Sequence, residues 1–437
     1  MDTEIGEITS PLAHLSSEQI EAIGREFEQL HADVYADLGE RDARYIHGII
    51  DLQRRLALLG RVLLFASWLP PAWLAGTATL SLAKILENME IGHNVMHGQW
   101  DWMNHPEINS GSWDWDSASS AEAWKHSHNY IHHTYTNIRG KDKDLGYEIM
   151  RIDPHQPWKP VYLLQPFYNL LLMAFFEWGV AFHDLDLPAV RSGEKPKKDY
   201  LRELRGIWTK GKRQILKDYI AFPLLTGLSA PPTLAANATA NIVRNVWAHS
   251  IIFCGHFPDQ TYTFSQEEVE DESKGATYIR QLVGAANIEG GPLFHVMSGN
   301  LGFQIEHHLY PDMPSTRYGE IAPSVREICE RYGLPYNTGP LSKQLGMVHR
   351  TILRLALPGG KVRPKPGPHH ESGTEIPQEP DHARGNGRSA APAPSPADPT
   401  LDAQTREELY REARRLQVEG RSSMSKGDLR RAVELAR

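Results

Sequence analysis

Three groups of histidines carry the most pointed chemistry in this sequence. His93 and His97 form an HxxxH pair. His128, His132 and His133 form HxxxHH just after His126. Gln304 opens a QxxHH run that closes on His307 and His308. Residues four apart on a helix share a face, so each pair can present imidazoles to a common metal. His249 and His256 end a long apolar stretch that also carries Asn245, and His295 stands alone upstream of the third group. Histidine is rarely buried without a purpose, so four of them within residues 126–133 are hard to explain by packing.

Eight or nine imidazoles are too many for one metal and about right for two. Imidazole accepts Fe, Zn, Cu and Ni alike, so ligand type alone leaves the metal open. Cys254 and Cys329 are the only cysteines, too few for a disulfide framework, an iron–sulfur cluster or a thiolate zinc site. With no evident Ser or Cys nucleophile and no nucleotide loop, redox attack on a lipid suits the pattern better than hydrolysis. Asp142, Asp144 and Glu306 lie beside the histidines in sequence and are candidates to orient the rings.

The elements that must position these residues are apolar and paired. Leu56 to Leu69 leads into Pro70-Pro71, and Ala72 to Leu86 continues beyond; Tyr219 to Ala230 leads into Pro231-Pro232, and Thr233 to Cys254 follows. Proline pairs lack backbone N–H donors and turn the chain out of a helix, so each stretch predicts a helical hairpin. A helix from Ala72 to His97 would be ~39 Å long against a ~30 Å hydrocarbon core, and would carry its histidines out into water. Arg61 and Lys84 interrupt the apolar runs where long side chains can snorkel. The bland alternative is two buried hairpins of a soluble protein. Val161 to Phe182 is long enough to span, but the basic segment after it, Arg191 to Lys217, argues through the positive-inside rule for a helix along the cytoplasmic face. Trp100, Trp102, Trp113 and Trp115 fit either a bilayer interface or an acyl tunnel, the interface being preferred.

The remaining segments bound the organisation. Residues 1–50 read as a soluble segment with an amphipathic helix starting near Ser16-Ser17 and repeating Ile20, Ile23, Phe27 and Leu30. Residues 51–357 form the membrane domain, 358–399 a disordered linker rich in Pro, Gly, Ser and Ala, and 400–437 a small helical module. Net charge is −8, which disfavours a nucleic-acid partner. Mean hydropathy is only −0.45, which the polar ends account for. No signal peptide is readable at the N-terminus.

HxxxH, HxxxHH and QxxHH, in this order with apolar hairpins between, closely resemble the membrane-bound fatty acid desaturases of acyl-CoA and acyl-lipid type over roughly residues 40–355. The resemblance implies an all-α membrane protein: four transmembrane helices in two hairpins, with a cytosolic helical cap holding a di-iron site. It implies an integral multi-pass protein with active site and both termini on the cytoplasmic side. Carried over position by position, the ligands are His93, His97, His128, His132, His133, His307 and His308. His249 matches an additional family histidine, with His256 as its competitor, and Asn245 and Gln304 are further candidates. Gln304 replaces the histidine that opens the third box in stearoyl-CoA desaturases. The implied cofactors are two Fe ions, with O2 as co-substrate. The implied partners are a long-chain acyl-CoA or acyl-lipid, the membrane, and a separate ferredoxin or flavoprotein reductase as external electron donor, since Leu357-Pro-Gly-Gly lacks the histidine of a fused cytochrome b5. The rival activity is that of a histidine-box membrane hydroxylase; a metal-binding membrane protein without chemistry is a more distant one. The C-terminal module faintly resembles Rho N-terminal or SAP-like helix pairs, generic helix pairing being the simpler reading.

Overall fold

The computed structural model describes residues 11–193, 195–361 and 365, with isolated positions at 409, 415, 416, 430 and 433. The chain divides into two compact units, Met1–Ile376 and Pro377–Arg437. The linker and module expected at 358–399 and 400–437 fall almost wholly outside the described residues.

The first unit is helical, and its longest helices form two hairpins. Helix α1 (Ser17–Ala36) starts at a capping box in which the Ser16 hydroxyl accepts from Gln19 N–H and the Gln19 side chain returns to Ser16 N–H. Ile23 and Phe27 on its inner face are fully buried. Helix α2 (Glu40–Leu63) and helix α3 (Pro70–Ile85) make the first hairpin, with Pro70-Pro71 in the first turn of α3, where missing N–H groups leave no helical bond unmade. The two helices cross at glycines: a Cβ on Gly60 would lie 3.0 Å from Leu80 N, and one on Gly76 2.9 Å from Leu64 Cδ2.

Helix α4 (Ala121–Trp124) leads into the second histidine group. The stretch read as one interfacial helix, Val161 to Phe182, is broken at Phe175 into α5 (Gln165–Ala174) and α6 (Phe176–His183). Helix α7 (Lys197–Ile215) runs on through an i→i+5 segment, Leu216–Ala221, and a short helix, Phe222–Leu225, to meet α8 (Ala230–His256) as the second hairpin. Helices α9 (Lys274–Val283), α10 (Gln304–Leu309), α11 (Tyr318–Arg331) and α12 (Leu341–Ala356) complete the unit, with strands β1 (Asn287–Glu289) and β2 (Thr338–Pro340) paired in parallel. Helix α1 packs against α9 and α11.

Among the described residues no helix is long and apolar enough to cross a membrane. Charge interrupts the hairpins, but it is turned inward: Asp218 pairs with Arg61 at 2.7 Å and with Lys84 at 2.8 Å. Large apolar side chains face outward on the same hairpins, among them Leu74 and Leu224 on the arms and Trp68 and Leu228 at the turns, the last 99% exposed.

Candidate metal centre

The first histidine pair sits where α3 changes register. Leu86–His93 is π-helical, followed by one α-turn, Asn94–Met96. Such i→i+5 turns are rare and concentrate at functional sites. The sequence pattern predicted plain α-helix here, since four-residue spacing does not distinguish the two registers. His93 and His97 still share a face, with ring centroids 4.5 Å apart. Asn94 fixes the first ring, its Oδ1 lying 2.9 Å from His93 Nδ1 while its amide donates to the carbonyls of Glu90 and Gly299.

The second group repeats the device. Lys125–His132 is π-helical between two short α-helical pieces. His132 Nδ1 lies 3.0 and 3.1 Å from the two oxygens of Asp142, and His128 Nδ1 3.2 Å from Asp144 Oδ2. Asp142 is itself held by the backbone N–H groups of Asn137 and Asp144 at 2.7 and 2.9 Å. The other Asp144 oxygen meets His183 Nε2 at 3.2 Å.

The third group enters on α10. His307 Nδ1 lies 3.2 Å from the Tyr318 hydroxyl, which donates onward to the Tyr310 carbonyl. His308 Nδ1 lies 3.0 Å from Gln281 Oε1, whose amide donates to the His133 carbonyl. Gly255 makes room for this group: a Cβ there would lie 2.8 Å from Gln304 Cγ. Glu306 does not orient an imidazole. It accepts from Tyr336 OH at 2.7 Å and Asn287 Nδ2 at 2.9 Å, which anchors α10 to β1.

Together these contacts set the tautomers. Five rings (His93, His128, His132, His307 and His308) have an acceptor at Nδ1, so Nδ1 carries the proton and Nε2 offers its lone pair. Among the described residues, ligand atoms converge within 4.8 Å of one another in two all-histidine groups, His93–His97–His128–His307 and His132–His256–His308, and in a third, His128–His132–Asp144, that overlaps both. His133 lies between, 4.9 Å from His307 and 4.5 Å from His308 by ring centroids. The Nε2 atoms of His97, His128, His132, His133 and His307 are buried with no protein partner. Unmet buried acceptors are costly, and so many directed at shared points are what bound cations would satisfy. The donor set therefore fits two metal ions.

Burial holds His97, His133, His256, His307 and His308 well below the usual imidazole range, with neighbouring imidazoles adding to it. Burial likewise takes His93 to about 3. Neutral rings are the form that binds metal. His132 differs: burial opposes its charge, but Asp142 overcomes this and raises it.

Two expected candidates stand apart. His249, the preferred extra ligand, lies two turns before His256 on α8, stacked on Phe253 at 3.7 Å with Nε2 3.1 Å from Asn169 Oδ1. The structure brings its competitor, His256, to the cluster instead. Asn245 donates to the Ala174 carbonyl and accepts from Arg244. Gln304 adjoins the cluster, its Nε2 3.0 Å from His256 Nε2. His126 is exposed and stacks on Tyr130. The supporting residues Gln281 and Tyr318 carry no local signal in the sequence, because their partners lie away along the chain, whereas Asn94 adjoins the His93 ring that it holds.

A narrow cavity of about 60 Å³ reaches the cluster at His93 and His128, walled by Trp115, Tyr147, Phe176 and Val180. Trp115 is thus a cavity wall and Trp100 a fully buried core residue, neither of them an interfacial anchor.

Comparison with known proteins adds independent findings. The model of the family described as fatty acid desaturase matches residues 51–340. The chain is similar to the NADPH-dependent stearoyl-CoA 9-desaturase of Mycobacterium tuberculosis, 47% identical over 355 residues, covering 80% of this chain and 83% of that one. It is also similar to the sn-1 linoleoyl-lipid 6-desaturase of Synechocystis, 27% identical over 64% of this chain and 79% of the relative. To the acyl-lipid (7-3)-desaturase of Rebecca salina it is 25% identical, over 58% of each chain.

Proposed function

This chain belongs to the fatty acid desaturase family and is a fatty acyl desaturase, an oxidoreductase of lipid metabolism; we propose that it inserts a double bond at a two-iron centre held by its histidine boxes. The carrying observation is the double convergence of buried imidazole nitrogens on two points. One ion would be held by His93, His97, His128 and His307, the other by His132, His256 and His308, with His133 between them. When bound, such a centre supplies the oxidising power, drawn from O2 and two electrons, to remove hydrogen from an unactivated methylene.

The protein's own residues do the rest. Asp142 and Asp144 hold the rings of His132 and His128 in one tautomer, so no reorganisation is needed on binding. Trp115, Tyr147, Phe176 and Val180 give the cavity an apolar side on which a hydrocarbon segment would lie, beside the polar Glu177, Asp184 and Arg244. Positioning a methylene pair at a fixed distance from the rings is the largest contribution such walls can make.

We further propose a long-chain acyl-CoA as substrate, with desaturation at position 9, and a separate NADPH-driven donor protein. The name of the 47% identical relative supports this reading. The outward apolar faces of both hairpins, with their charges paired inside, support an integral membrane position, and the basic segment from Arg191 to Lys217 supports a cytoplasmic side for the histidines. Supplying stearoyl-CoA, a reductase system and O2 to the purified enzyme, and locating the product's double bond by mass spectrometry, tests the proposal. A C9 monoene supports it; a hydroxylated product, or no product from an iron-loaded enzyme, refutes it.

A further inference from the structure

Desaturation consumes protons as well as electrons. An acyl –CH2–CH2– unit and O2, with two electrons and two protons, become –CH=CH– and two waters. A centre reached only by a narrow cavity, lined by rings and apolar side chains together with Glu177, Asp184 and Arg244, must therefore admit protons along defined groups. None of the metal-facing imidazoles can serve, since their free nitrogens face the metal positions.

A second cleft, of about 380 Å³, opens on the outer side of the second histidine group. It shares two residues, Ser127 and Asp184, with the narrow cavity that reaches His93 and His128. Asp184 stands between the two spaces. Its Oδ1 accepts from Ser127 Oγ at 2.6 Å, and its Oδ2 bonds Ser119 Oγ. Ser127 is the chain neighbour of His128, so its hydroxyl links the carboxyl to the cavity wall. A hydroxyl both donates and accepts, so it can hand a proton on by rotating.

The charged groups of the outer cleft are largely matched to one another: Lys143 with Asp186, Lys195 with Glu203, and Arg202 with Asp199 at 2.9 Å. His183, beside Asp184, has its Nε2 3.2 Å from Asp144 Oδ1, and His126 is exposed at the cleft's edge. Asp184 alone among these carboxyls is held by two hydroxyls and reaches both spaces.

We propose that Asp184 and Ser127 are the proton doorway of this enzyme, passing protons from the solvent cleft into the acyl cavity during turnover. The carboxyl O–H bond breaks as its proton moves to the Ser127 oxygen, the Ser127 O–H bond breaks as its own proton passes to an oxygen left in the cavity by the reduction of O2, and that oxygen departs as water. Cleft water then reprotonates the carboxylate. Nothing is oxidised or reduced in these transfers; the electrons come from the donor protein and their acceptor is O2. Burial supports the role, pushing Asp184 up to about 6 against the opposing pull of its serine partners and His183, with Asp144 adding upward pressure. Acid and carboxylate are then both populated near neutral pH, which suits a group that must give and retake protons.

The inference rests on the desaturase activity, and wild-type product formation checks that separately. The test is Asp184→Asn in iron-loaded enzyme with supplied electron donor, read by iron content, pH profile, solvent deuterium isotope effect and infrared spectra. Iron content is expected to be unchanged. Turnover is expected to fall about 100-fold, with a larger isotope effect and partial rescue by small carboxylic acids such as formate. The infrared band of a protonated carboxylic acid titrating near neutral pH should vanish in this variant. Retained iron with wild-type turnover, pH profile and isotope effect overturns the proposal. Should Asp184→Asn fail to bind iron, Ser127→Ala decides, because it keeps the acid and removes the link. Reduced turnover with a raised isotope effect then supports the doorway, and unchanged kinetics overturn it.

Discussion

Replacing Asp142 by Asn should separate the stability of the site from its hold on metal. The Asp142 carboxylate accepts at both oxygens: Oδ1 from His132 and Asp144 N–H, Oδ2 from His132 and Asn137 N–H. Asparagine has one oxygen, so in either flip its NH2 group must face a backbone N–H. One buried donor is left unpaired, at a cost of about 1–3 kcal/mol in the metal-free fold. Loss of a charged partner behind a ligating imidazole separately lowers metal affinity ~10- to 100-fold, equivalent to about 1.4–2.8 kcal/mol. Urea unfolding of the apo protein reads the first effect, and iron loss to a graded chelator series reads the second. His132 should also lose its raised proton affinity, since Asp142 is what overcomes burial there. Iron release within twofold of wild type, with apo stability reduced as expected, would refute the orienting role of Asp142 and leave it as a turn residue.

Three further outcomes follow from the same geometry. His249→Ala should keep full iron content, because the ring packs on Phe253 and bonds Asn169 away from the cluster; loss of half the iron would restore it as a ligand. A cysteine at Leu228, which is 99% exposed at a hairpin tip, should resist aqueous maleimide in native membranes while one at Lys197 reacts from the cytoplasmic side; the reverse pattern would overturn the proposed topology. Acid should release iron: the buried rings other than His132 sit below the ordinary histidine value of about 6.5, so a disrupted site binds more protons than an intact one. Stability from these rings is full above about pH 6.5 and is lost as pH falls toward their folded values. Titration of iron content between pH 8 and 5 checks the sign, and retention that improves toward pH 5 would contradict it.

Much of the centre was legible because metal sites concentrate one residue type at helical spacing. The three boxes, the proline-started hairpin arms and the capping box at Ser16 all follow from local rules. Spacing could not reveal the π-register at both leading boxes, since rings four apart meet in either geometry. The choice between His249 and His256 was equally hidden: both lie on α8, and only the packing of α10 against Gly255 selects the later one. Glu306 looked like an orienting carboxylate by adjacency, yet side chains next to each other on a helix point apart, and its partners came from β1 and the segment before β2. The hairpins' mixed hydropathy had a similar cause. Arg61, Lys84 and Asp218 are far apart in sequence, and only the fold shows that their charges face one another.

The central claim is a two-metal centre built from two imidazole groups, and iron stoichiometry combined with Mössbauer spectroscopy tests it most directly. Purified, iron-57-loaded enzyme should contain close to two irons per chain in two distinguishable nitrogen-rich environments, and His308→Ala should deplete one environment preferentially. One iron per chain, or active enzyme holding zinc alone, would contradict the account.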